Sequence, residues 1–114
     1  MTEYNLKERT SVFGEKIIHF CVSLPKTVIT IPMISQLIRS GTSIGANYAE
    51  ADDAESKNDF RHKIGICKKE SGETKFFLRM LKVAVPDKVN KIEELLNEAT
   101  ELNLIFNAIF KKVK

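Results

Sequence analysis

Glycine and proline are scarce in this chain, five and three among 114 residues. That scarcity argues against a β-rich fold, whose many tight turns call for both. No apolar run approaches the roughly 18 residues a membrane-crossing helix needs, and Met1 to Thr10 carry no charged, apolar, small-residue leader. The expectation is a cytoplasmic protein with no membrane contact. Cysteine is limited to Cys21 and Cys67, each set among apolar residues at helical spacing, which predicts reduced, buried thiols rather than a disulfide or a metal pair. Catalytic constellations are missing as well. His19 and His62 are isolated, with no HExxH or comparable spacing, and Ser43 and Ser71 have no base at recognisable spacing. Glu70 and Glu73 share a helix edge, but carboxylate-bridged metal bundles pair such acids with Glu-x-x-His motifs, and none exists here. No enzyme, cofactor or metal is predicted.

What is present is helical. With 43% hydrophobic residues the chain suits one globular domain over 1–114. Phe13, Ile17, Phe20, Cys21 and Leu24 mark a first amphipathic helix from about Thr10 to Leu24, stopped by Pro25. After a connector from Lys26 to Thr30, Pro32 suits the first turn of a second helix behind Thr30 or Ile31, running to about Ala51. Its stripe is Ile34, Leu37, Ile38, Gly41, Ile44, Gly45 and Tyr48. An acidic linker, Glu50, Asp52, Asp53 and Glu55, leads to Ser56, a fitting N-cap with Asp59 three residues on. Helix three then carries Phe60, Ile64, Cys67, Ser71, Thr74, Leu78 and Leu81 to about Val83. Pro86 restarts the chain, and Val89, Ile92, Leu95, Ala99, Leu102, Phe106, Ile109 and Val113 carry helix four to the end. Four such helices on short connectors predict an all-α fold, an antiparallel up-and-down four-helix bundle.

Gly41 and Gly45 sit four residues apart inside helix two, where glycine costs about 1 kcal/mol relative to alanine. Both fall on its buried face, so they predict close approach of another helix within or between subunits.

Net charge is +3, mildly basic, so only its distribution is informative. On helix three Arg61, Lys68, Lys75 and Lys82 are heptad-spaced, with Lys57 and Arg79 beside them. This stripe is either an electropositive ridge for phosphate backbones or a solvated face answered by Glu93, Glu94, Glu98 and Glu101 of helix four. No aromatic platform or Gly-rich phosphate loop accompanies it in sequence. The sequence does not place Arg39, Lys111, Lys112 and Lys114 on that surface. Away from both stripes lie Ile66, Glu70, Glu73 and Phe77, while Leu104 points away from the main stripe of helix four. Ile66, Phe77 and Leu104 are therefore candidate contacts of a homo-oligomer, the alternative being a core stripe that reaches further round each helix.

The segment QLIRSGTSIGANYAEA at Gln36 to Ala51 resembles the second-helix signature of the four-helix bundle proteins encoded in intervening sequences of bacterial 23S rRNA genes. DFRHKIGICKKESGETKFFLRML at Asp59 to Leu81 resembles that family's third-helix pattern, although its usual Tyr-Trp doublet stands here as Phe76 and Phe77. The loss of an indole donor at Phe77 leaves packing there but no hydrogen bond. The resemblance implies an up-and-down bundle similar to the barrel-forming accessory proteins of diversity-generating retroelements. Those are homopentamers that bind nucleic acid and a reverse transcriptase, so a homopentamer is the assembly the resemblance implies.

The combined expectation is a non-enzymatic homo-oligomeric scaffold that engages RNA or another polyanion through Arg61, Lys68, Lys75, Arg79 and Lys82. The alternative is a protein-interaction adaptor for a nucleic-acid enzyme such as a reverse transcriptase, using apolar or acidic surface and separable by salt dependence.

Overall fold

The computed structural model describes residues 5–114, so the first four residues of the expected domain lie outside the described residues. The elements are α1 (Leu6–Val22), α2 (Thr30–Asp52), α3 (Lys57–Ala84), a 3₁₀ turn over Pro86–Lys88, and α4 (Val89–Lys112). Side-chain pairs fix the helix directions. Gly45 meets Thr10 and Gly14 meets Thr42 across α1 and α2. Lys63 pairs with Glu50, and Thr74 bonds Ser40, across α2 and α3. Arg61 reaches Val113, and Lys82 pairs with Glu93, across α3 and α4. In each case rising numbers on one helix meet falling numbers on the next, which makes the bundle antiparallel and up-and-down. Among the described residues no helix is long and apolar enough to cross a membrane.

Local chemistry sets the helix ends. Asn5 caps α1 by accepting the Glu8 amide at 3.2 Å. The helix therefore begins a turn earlier than the expected Thr10, which is buried and donates its hydroxyl back to the Leu6 carbonyl. α1 also stops at Val22 rather than Leu24. Lys26 Nζ folds back onto the carbonyls of Cys21, Val22 and Leu24 at 2.9, 3.3 and 2.7 Å, satisfying acceptors that the helix end leaves open. α2 begins at Thr30, ahead of Pro32, because Thr27 Oγ1 accepts the Thr30 amide while Thr30 Oγ1 accepts the Thr27 amide. Ser56 caps α3 through the Asp59 amide at 3.0 Å.

The apolar stripes converge on one core, with Phe13, Ile17, Leu37, Ile44, Ile64, Leu78, Ile92, Leu102 and Phe106 almost wholly shielded from solvent. Cys21 and Cys67 are free and buried there, and burial pushes their thiols up to about 11 and about 12.

α1 and α2 approach closely at the two glycines. A Cβ on Gly41 would lie 3.0 Å from Ile17 Cγ1, and one on Gly45 would lie 3.3 Å from the Thr10 carbonyl oxygen. α1 and α4, by contrast, touch only sparsely, so the bundle has one thinly closed seam.

Glu70 lies inside the packing rather than off the core stripe, at 7% exposure. It faces α2, where Arg39 Nη1 donates to it at 2.9 Å while Nη2 bonds Glu73. Arg39 is thereby committed to the α2–α3 side, its guanidinium pKa raised first by Glu73 and then by Glu70.

Candidate nucleic-acid interface

The heptad-spaced cations of α3 face α4, and the structure puts them in different chemical states. Arg61 is held at two points: its Cζ lies 3.7 Å from the centre of the Phe110 ring, and its Nε donates to the Val113 carbonyl at 2.5 Å. Among the described residues neither terminal guanidinium nitrogen has an acceptor. Lys68 Nζ lies 4.6 Å from the same ring, so Phe110 carries two cations. Lys82 is neutralised by Glu93. Lys75 and Arg79 flank Phe76 in a cleft with Leu96 and Thr100 of α4, and neither has an ion-pair partner among the described residues.

Of the four α4 acids expected to answer this stripe, only Glu93 does. Glu98 and Glu101 lie on the α1 side of α4, where Arg9 binds both: Nε to Glu98 Oε2 at 2.7 Å, Nη2 to Glu98 Oε1 at 2.8 Å, and Nη2 to Glu101 at 2.7 Å. These hydrogen bonds, Glu98 foremost, raise the Arg9 pKa. Glu94 approaches Lys91 of its own helix at 3.4 Å. Two acids are thus removed from the α3–α4 face by a residue of α1, which the sequence pattern of α3 and α4 does not reveal.

The structure adds Asn58, Gly65, Lys69 and Phe110 to this face, none of them singled out in sequence. With Arg61, His62 and Ile66 they line an open groove of about 430 Å³. Its floor depends on Gly65, where a Cβ would come within 3.1 Å of Phe110 Cε1. The available sequence signal is the register itself, since Asn58, Gly65, Lys69 and Phe76 fall within one narrow sector of α3 at about 100° per residue. Midway, Asn103 Nδ2 of α4 donates to the Lys68 carbonyl at 3.0 Å and to Ser71 Oγ at 2.8 Å, tying the two helices together.

The three candidate subunit contacts do not share one surface. Ile66 lines the groove with Phe110 of α4, whereas Phe77 lies on the α3 stripe of Glu70 and Glu73, which faces α2. Both are half-buried, and Phe77 packs against the core. Leu104 stands on the outer side of α4 at 64% exposure. Among the described residues no group of three His, Cys, Asp or Glu side chains is placed to hold a metal ion.

The sequence profile of the 23S rRNA-intervening sequence proteins matches residues 2–108. The chain belongs to that family. A solved structure similar to this family member is a protein of unknown function from the S23 ribosomal protein family of Bacteroides thetaiotaomicron, determined at 1.70 Å. It is 33% identical, the match covers 92% of this chain and 97% of that one, and the TM-score is 0.81. No curated protein matches the chain significantly.

Proposed function

We propose that this family member is a non-enzymatic, homo-oligomeric scaffold that binds RNA or a similar polyanion along the α3–α4 face. The observation carrying this reading is the diversion of Glu98 and Glu101 to Arg9, which leaves Lys75 and Arg79 without acidic partners beside Arg61 and Lys68. Unpaired cations on a shared face attract a phosphate backbone, whereas neutralised ones do not. Lys82, already paired with Glu93, is a lesser contributor than its heptad position implies. Assembly of several copies multiplies the face and raises avidity even where each contact is weak. Exposed Leu104 supports such assembly, and the pentamer implied by the family resemblance is the state to test first.

The test is RNA affinity against salt concentration. Reversing Lys75 and Arg79 together to glutamate should weaken binding and flatten the log–log salt slope by about 0.7 to 0.9 for each phosphate no longer neutralised. Lys82→Glu alone should change both much less. An affinity insensitive to salt and to all three substitutions would favour the adaptor role for a nucleic-acid enzyme.

A further inference from the structure

We propose that the α3–α4 face is a single-strand site, in which nucleobases stack on Phe76 in one cleft and on the Arg61–Phe110 pair in the other while the neighbouring cations hold the phosphates. The inference rests on the polyanion reading above and adds what that reading leaves open, the form of nucleic acid bound.

Two separate clefts along the α3–α4 face share one composition. At one, Phe110 underlies the Arg61 guanidinium, with His62 and Lys69 on the rim. At the other, Phe76 stands between Lys75 and Arg79. Gly65 and Phe76, which mark the two, are eleven positions apart, roughly 16 Å along the helix at 1.5 Å per residue. The lining side chains of both clefts include no carboxylate.

Phe76 is 52% exposed although it is a large apolar residue, and its neighbour Phe77 meets it edge-on with ring centroids 5.3 Å apart. That contact steadies the ring, and its exposed half is the surface open to another partner. Arg61, held by Phe110 and Val113, presents a preorganised planar cation. Bases stack on aromatic rings and on guanidinium planes alike, with little sequence preference, and only unpaired bases have faces to offer. Duplex RNA would meet the cations through its phosphates and leave Phe76 unused.

The chain has no tryptophan, so Phe76→Trp introduces a single indole at the proposed platform, which can be excited selectively over the two tyrosines. Titration with a short oligouridylate should quench its emission, while a blunt RNA duplex of equal charge should leave it nearly unchanged. In a parallel anisotropy measurement, Phe76→Ala should weaken single-strand binding about tenfold with an unchanged salt slope, and should not affect the duplex. The exposed position makes loss of fold a minor concern, and far-ultraviolet circular dichroism checks it. Binding of both RNAs without quenching, and with full affinity in Phe76→Ala, overturns the stacking site and leaves the polyanion reading standing. No binding of either RNA at low salt overturns both.

Discussion

Arg9 of α1 grips Glu98 of α4 through two parallel hydrogen bonds, Nε to Oε2 and Nη2 to Oε1, at 2.7 and 2.8 Å. This paired geometry is the strong form of an ion pair, and both side chains are largely shielded, at 24% and 30% exposure. It spans the seam where α1 and α4 otherwise scarcely touch. Arg9→Ala should therefore lower stability by about 1 to 2 kcal/mol, measured by urea unfolding. Arg9→Lys should recover only part, because an ammonium cannot form the two-pronged contact. A variant as stable as the parent would mean that the seam is held by packing alone.

The glycines of the α1–α2 contact should respond in opposite directions. At Gly45 a larger side chain meets the Thr10 backbone, which cannot turn aside as a side chain tip can. Gly45→Leu should lower the melting temperature, with overpacking costing about 1 to 3 kcal/mol. A Cβ on Gly14 meets nothing nearer than Thr42 Cα at 3.7 Å, an ordinary contact. Gly14→Ala should raise stability by up to about 1 kcal/mol through helix propensity. Thermal melts of the two variants side by side decide the matter.

Burial gives the thiols a pH signature. Unfolded cysteine ionises near 9, whereas folded Cys21 and Cys67 hold their protons to about 11 and about 12. Above pH 9 the unfolded state binds fewer protons than the native one, so stability falls as pH rises through this window. Below it the contribution is fully present. As far as the thiols set it, the urea midpoint should be level up to about pH 8.5 and decline beyond, and Cys67→Ala should make that decline shallower. Thiol reagents at neutral pH should label neither residue until the protein unfolds.

Leu104 tests assembly. If its exposed side chain is covered by a second copy, Leu104→Glu should shift light scattering from an oligomer towards the 12.9 kDa monomer without loss of helicity. A parent protein that is monomeric across a wide concentration range removes oligomerisation from the functional picture.

The fold was legible because each helix carries a local signal, a three-four apolar stripe with Ser56, Pro25 or Pro86 at its boundaries. Start sites were less so, since the Thr27–Thr30 exchange and the Asn5 cap depend on a few side-chain bonds rather than on periodicity. The candidate site was half legible. Register alone puts Arg61, Lys68, Lys75 and Lys82 on one side of α3. Which of them is neutralised depends on partners distant in sequence: Glu98 is diverted by a residue 89 positions away, and Phe110 reaches Arg61 from the far end of the chain. The same limit applies to Glu70, whose burial is offset by Arg39 from α2.

The sparse meeting of α1 and α4 also bears on how the chain reaches this structure. Each helix packs chiefly on its successor, so most pairings join residues close in sequence and little loop-closure entropy must be given up before packing begins. Low contact order of this kind belongs to helical bundles that fold in about microseconds to milliseconds. Successive hairpins can form without waiting for the first and last helices to find one another.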